Sequence, residues 1–234
     1  MPNTDAHSSP PPAIAGVILA GGLSRRMFPI ARSDACADPH GGDKGLLDIG
    51  AKSMLAHVIA RLAPQVGPLV INANGDPVRF AGFGLPVVAD TIEGYVGPLA
   101  GVLAGMRWAA ENATGTRWIV TASADAPFLP RDLVGRLAAA VTDQPNAIAI
   151  AQSDGDLHPV IGLWPIALAD DLEAALLSGL RKVLAWTDKH GTVPVAFDMI
   201  EVEGRSIDPF FNANTPDELA EARRCMALIE AAGA

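Results

Sequence analysis

Tyrosine occurs once in these 234 residues, and cysteine only twice. Cys36 and Cys225 stand far apart and form no metal-type spacing with each other or with histidine, which excludes a zinc site of the usual kinds. Free thiols in a reducing cytosol are the expected state, so the expected location is cytoplasmic. Basic residues are also scarce: 17 Lys and Arg against 26 Asp and Glu give a formal charge of -9. That balance argues against a nucleic-acid groove or a polybasic membrane contact. No apolar run is long enough for a transmembrane helix, and the start of the chain lacks the basic and apolar regions of a signal peptide. Neither GxxxxGKS/T nor GxGxxG occurs, so the P-loop and dinucleotide fingerprints are missing. No Ser-His-Asp or Cys-His arrangement is legible either, and no internal repeat.

What is abundant is aliphatic. Half the residues are hydrophobic although only 5% are aromatic. Near-continuous runs of Ala, Val, Leu and Ile suit parallel strands covered on both faces. The length suits one sizeable α/β domain, expected over residues 14–234. Residues 1–13, with Ser8-Ser-Pro-Pro-Pro12, are expected to form a disordered tail.

Strand-like and helix-like segments alternate along that domain. Ile14 to Ala20, Pro68 to Asn72, Pro86 to Ala89, Arg117 to Ala122 and Ala147 to Ala151 read as strands. Helices are expected over Lys52 to Pro64, from Pro98, and over Pro130 to Val141. The C-terminal third is less regular, with strands at His158 to Leu163 and Val193 to Phe197. Residues 166–189 read as two helices broken near Ser178-Gly179. Thr215-Pro-Asp-Glu218 is a capping box with proline at the first helical position. Such alternation predicts right-handed crossovers and a doubly wound sheet, with ligands at the carboxyl ends of its strands.

The most informative stretch is Gly16-Val-Ile-Leu-Ala-Gly-Gly-Leu-Ser-Arg-Arg-Met27. Glycines at the end of a strand let backbone N–H groups approach an anion closely, and the arginines add charge. Gly21-Gly22 alone is explained equally well by a tight turn. With Arg26 and the later Asp43-Lys44-Gly45 it suits a nucleoside triphosphate, whose charge Arg26 and Lys44 would neutralise. Asp125, directly after the strand ending at Ala122, stands where one carboxylate can hold Mg²⁺ against phosphate oxygens. Asn72, Asn74 and Asp90 follow two further strands and offer amide and carboxylate groups for a base or ribose, although turn chemistry explains each alone. The glycines between Gly94 and Gly105 suit either a ligand-facing helix start or close helix packing. His158, and the amides Asn212 and Asn214, have structural readings beside functional ones.

Taken in order, Leu19-Ala-Gly-Gly-Leu-Ser-Arg-Arg-Met27, Asp43-Lys-Gly-Leu-Leu47, Asn72-Ala-Asn74, Gly97-Pro-Leu-Ala-Gly101, Asp125-Ala-Pro127, His158-Pro159 and Asn212-Ala-Asn-Thr-Pro-Asp-Glu-Leu219 resemble the molybdenum cofactor guanylyltransferase family. The resemblance implies a single Rossmann-like, three-layer α/β domain of the glycosyltransferase-A, nucleotide-diphospho-sugar transferase type, with a mostly parallel sheet. It implies transfer of GMP from GTP to the phosphate of Mo-molybdopterin, with release of pyrophosphate. Leu19, Ala20, Gly21, Lys44, Asn72, Asp90 and Asp125 would bind GTP, Asp125 would also bind Mg²⁺, and Arg26, Lys44 and Asp125 would be catalytic. Molybdenum-insertion proteins and apo-molybdoenzymes are the further partners it suggests.

Two departures from the family pattern bear on this. Fifteen residues, 28–42, separate Met27 from Asp43 where the family has few, and a displaced Lys44 would undo the GTP assignment. Ala126 stands where a hydroxyl residue is common. The rival readings are a cytidylyltransferase acting on the same cofactor, whose members typically carry alanine at the position of Gly21, and a non-catalytic molybdopterin-binding or hand-over module.

Overall fold

The computed structural model describes residues 14–22, 27, 43–92, 94 and 97–233. The tail 1–13, Arg26 and the insertion 28–42 lie outside them.

In chain order, the first strand is β1 (Ile14–Leu19). A ribbon of β2 (Asp48–Ile49) and β3 (Lys52–Ser53) leads into α1 (Met54–Leu62), then β4 (Leu69–Asn72) and β5 (Val87–Val88). There follow α2 (Pro98–Asn112), β6 (Trp118–Ser123), α3 (Leu133–Ala140), β7 (Ile148–Ser153) and β8 (Asp156–Pro165). The chain continues through α4 (Ala169–Leu177), α5 (Val183–Thr187), β9 (Thr192–Phe197), the ribbon β10 (Ile200–Val202) and β11 (Arg205–Ile207), and α6 (Pro216–Ala231).

Among the described residues, seven strands form the central sheet in the order β5-β4-β1-β6-β8-β7-β9. β1 pairs in parallel with β4 and β6, as do β4 with β5 and β7 with β9. Ile18, Leu55, Val58, Leu133 and Leu137 share one core cluster, so α1 and α3 cover one face. Val17, Leu99, Leu103 and Leu172 share another, which places α2 and α4 on the opposite face. A third cluster joins α6 to the two ribbons through Ile49, Val202, Leu219, Met226 and Ile229.

The mostly parallel α/β class is observed, but the sheet is not doubly wound throughout. β8 runs antiparallel to both β6 and β7. The reason is local: Asp154 (φ +46°) and Gly155 (φ +86°) form a two-residue turn with both central residues left-handed. That conformation matches the twist of a hairpin and returns the chain directly, so no crossover helix intervenes. The expected break near Ser178-Gly179 is present between α4 and α5, with Gly179 at φ +96°. At α6, Thr215 Oγ1 accepts from the N–H of Glu218 (3.2 Å), while the Glu218 carboxylate accepts from the N–H of Thr215 (2.9 Å). The capping box therefore forms as its residue pattern requires.

Where β8 crosses the sheet, Gly162 lets the strands approach. A Cβ there would lie 2.7 Å from the backbone oxygen of Ala149 and 2.7 Å from Ile150 Cδ1. Gly162→Ala is therefore expected to cost about 1–3 kcal/mol. Its thermal midpoint should fall by about 2–4 °C per kcal/mol. Gly135→Ala, where the added methyl meets nothing within 4 Å, is the control and should leave the midpoint unchanged or raised.

Candidate active site

The parallel strands β1, β4 and β6 end at Leu19, Asn72 and Ser123, on one edge of the sheet. A cleft of about 310 Å³ opens there, between those strand ends and the start of α2. Of the residues singled out from the sequence, Leu19, Gly21, Asn72 and Asp90 line it, together with Gly97, Gly101 and Ser123. Ala20 does not: its N–H donates to the backbone oxygen of Asn72 (2.8 Å), and its side chain packs on the α1–α3 face.

Asp90 is the anchor of one wall. Its two carboxylate oxygens accept from Asn72 Nδ2 (3.0 Å) and Asn74 Nδ2 (2.8 Å), and its own N–H donates to Asn74 Oδ1 (2.9 Å). Asn72 also donates to the backbone oxygen of Val88 (3.3 Å), so both donors of its amide are engaged and its Oδ1 atom is turned toward α2. The glycines of α2 make that approach feasible. A Cβ at Gly101 would lie 2.2 Å from Asn72 Oδ1 and 2.8 Å from Leu19 Cδ2, and one at Gly105 would lie 2.5 Å from Val17. Close packing, one of the two readings of this glycine stretch, is thus what Gly101 and Gly105 permit.

Lys44 and Asp125 form the second centre. The ammonium of Lys44 makes an ion pair with Asp125 Oδ2 and donates to Asn214 Oδ1 at 2.5 Å. Asp125 is 2% exposed, and its other oxygen accepts from Ser123 Oγ. The loop that carries it is pinned at both ends. The N–H of Ala124 donates to the backbone oxygen of Leu19 (3.0 Å), and the backbone oxygen of Asp125 accepts from Ala213 (3.3 Å). Gly45 brings the Lys44–Leu46 turn against this loop, since a Cβ would stand only 3.0 Å from that of Ala124. The insertion of residues 28–42 therefore leaves Lys44 beside Asp125.

Arg79 ties the two centres together. It pairs with Asp43, donates to the backbone oxygen of Asn74 (2.5 Å) and to that of Asp76 (2.7 Å). Nothing in its local sequence marks it, because Pro77–Phe83 is a short 3₁₀ segment without a motif.

Asp125 and Asn214 place a carboxylate and an amide oxygen around a cation, which is a donor set suited to a hard metal ion. Among the described residues no three His, Cys, Asp or Glu side chains converge, so any such ion would draw its remaining ligands from phosphates and water. Ser153, His158 and Asp208 nevertheless meet at the end of β7, a cluster that the sequence does not reveal. They were invisible because 55 positions separate Ser153 from Asp208. The hydroxyl lies between the other two groups, so this is not a nucleophile activated by an oriented base. No helix among the described residues is long and apolar enough to cross a membrane.

The profile of the MobA-like NTP transferase domain family matches residues 16–220. A molybdenum cofactor guanylyltransferase of Bradyrhizobium sp. (strain ORS 278) is 48% identical over 222 residues, covering 94% of this chain and 97% of that protein. The crystal structure of molybdopterin-guanine dinucleotide biosynthesis protein A from Archaeoglobus fulgidus superposes with a TM-score of 0.65 at 21% identity, covering 92% of this chain and 99% of that one. Rv0371C of Mycobacterium tuberculosis H37Rv, solved in complex with manganese, does so with a TM-score of 0.59 at 15% identity, covering 91% and 98%.

The steric role of Gly101 gives a direct test of the cleft. Gly101→Ala should displace the Asn72 amide and weaken nucleotide binding about tenfold, as expected for the loss of a well-aligned polar contact. Calorimetric titration with GTP against the wild-type protein measures it. Equal affinity would show that Asn72 and the start of α2 take no part.

Proposed function

The chain belongs to the molybdenum cofactor guanylyltransferase family of MobA-like NTP transferases, and from that premise we propose that it transfers GMP from GTP to the phosphate of Mo-molybdopterin. An oxygen of the acceptor phosphate attacks the α-phosphorus of GTP in line. A new P–O–P bridge forms, the bond between the α-phosphorus and the bridging oxygen breaks, and pyrophosphate departs with the electron pair. No covalent enzyme intermediate is required, so catalysis consists of positioning and neutralising charge.

The observation that carries this reading is the junction of Lys44 and Asp125 at the strand edge that also holds the Asn72–Asp90 cleft. The cleft takes the nucleoside. Guanine presents an amino donor that a carboxylate or amide oxygen can accept, and Asn72 and Asp90 supply such oxygens. Leu19 and Gly21 line that cleft, and Ala20 between them contributes backbone to the GTP site the family resemblance implies. Lys44, with Arg26 of the same glycine loop, offsets charge on the bridging and departing oxygens. Asp125, with Asn214 beside it, would hold Mg²⁺. When bound, that ion would supply a hard positive charge that offsets the negative charge of the triphosphate.

Gly21 bears on the choice between guanine and cytosine. A methyl group there would stand 3.7 Å from Asn74 Nδ2 and 3.8 Å from Asn72 Oδ1, which is ordinary contact. An alanine therefore fits without disturbing the fold but narrows the space beside both amides. This supports a larger base in the glycine form.

The protein incubated with Mg²⁺, Mo-molybdopterin and either GTP or CTP should release pyrophosphate with GTP in preference. Preference for CTP would make it a cytidylyltransferase, and no release with either would favour a hand-over module. Asp125→Asn should lower kcat/KM for GTP by about 100-fold, equivalent to about 2.7 kcal/mol of transition-state stabilisation. Unchanged turnover in that variant would remove the metal-binding role from Asp125.

A further inference from the structure

The Ser153–His158–Asp208 group has no task in the nucleotide half of the reaction. Ser153 closes β7 with its side chain buried, and its Oγ lies 2.8 Å from Asp208 Oδ1 and 2.6 Å from His158 Nε2. A hydroxyl has one proton to give. An ionised carboxylate can only accept it, so Ser153 donates to Asp208 and accepts from Nε2–H of His158. The imidazole is thereby fixed in the tautomer whose Nδ1 is unprotonated. Burial lowers the pKa of His158, against the opposing pull of Asp208 and Asp156, and so favours this neutral form. Phe210 braces the ring at 4.7 Å between centroids, and its own N–H donates to Asp208 Oδ1 (2.8 Å). Among the described residues Nδ1 has no hydrogen-bond partner, and the side chain is 15% exposed.

Its place in the sheet is informative. β6 and β8 pair with Trp118 opposite Pro165 and Thr121 opposite Gly162. Beyond that paired stretch, Val160 of β8 and Ser123 of β6 share a wall of the cleft. His158 stands two residues before Val160 on the same strand. The segment 208–214 joins His158 to the loop of Asp125. Asp208 holds Ser153, Phe210 holds His158, the N–H of Ala213 donates to the backbone oxygen of Asp125, and Asn214 accepts from Lys44. Three residue steps from Phe210 to Ala213 span at most about 10 Å. The nucleoside wall formed by Asn72, Asp90 and Gly101 lies the other way along the edge, beyond β1.

We propose that His158 contacts the acceptor substrate rather than the nucleotide, with Nδ1 accepting a hydrogen bond from an N–H or O–H of that substrate. Ser153 and Asp208 are positioning residues that hold this tautomer. The assignment rests on the guanylyltransferase reading above. The acceptor it fits is a donor-bearing heterocycle attached to the reacting phosphate, since a pterin carries ring and exocyclic N–H groups.

Steady-state kinetics with GTP and Mo-molybdopterin varied in turn provide the test, using two variants that replace different ring nitrogens. In His158→Asn the amide oxygen reaches the region of Nδ1, whereas in His158→Gln the amide reaches that of Nε2. His158→Gln should raise KM for Mo-molybdopterin about tenfold. KM for GTP should stay within about twofold of wild type, and His158→Asn should recover most of the loss. Should either variant fail to fold by circular dichroism, Ser153→Ala decides, with an expected rise of about threefold in acceptor KM alone. Wild-type acceptor KM in His158→Gln, or in Ser153→Ala where that variant decides, would overturn the assignment, as would an equal rise in both KM values. Wild-type protein that releases no pyrophosphate from GTP would instead overturn the parent reading.

Discussion

An ammonium and a carboxylate held in contact at the end of a buried strand set the terms for the rest of this site. Asp125 is almost wholly removed from solvent, and its charge is balanced by Lys44, Ser123 and the surrounding backbone. Ion pairs of this kind contribute little net stability, because desolvating both groups offsets most of their attraction. Their value lies in placement. In the proposed reaction, two opposite charges, that of Asp125 buried and that of Lys44 partly so, are held in place before substrate arrives, which lowers the reorganisation the reaction needs. The pair also recruits distant chain: the turn at Lys44, the loop after β6 and the segment before α6 all close on it.

The second wall depends on a different constraint, which is absence of volume. Asn72 and Asn74 both donate to Asp90, and α2 packs on Asn72 and on Val17 only because Gly101 and Gly105 carry no side chain. Arg79 then bridges Asn74 to Asp43, the neighbour of Lys44. The Asn72–Asp90 wall and the charged centre are thus joined by a chain of polar contacts.

Much of this is legible in the sequence. β1 and its glycine pair, the strand ahead of Asp125, the amides after β4 and the capping box of α6 are local patterns. Local patterns survive folding because they are set by propensity, burial and turn chemistry. What escaped was pairing. Asp154-Gly155 is a strong hairpin signal, yet the chain on either side reads equally well as two strands of a parallel sheet, and β8 was not foreseen as antiparallel. Arg79 carried no signal, since a surface arginine in a short 3₁₀ segment looks like any solvated cation. Ser153, His158 and Asp208 are assembled by that same hairpin and by a ribbon too short to show periodicity. Arg26 belongs to the glycine loop outside the described residues, so its part rests on the residue pattern and the family resemblance.

The central claim is that Lys44 and Asp125 act on one triphosphate as a unit. A double-mutant cycle on GTP turnover, with Lys44→Met, Asp125→Asn and the combined variant, measures this directly. Groups that work together should be strongly non-additive, with the double variant within about tenfold of the weaker single one. Independent losses that multiply in the double variant would contradict the account.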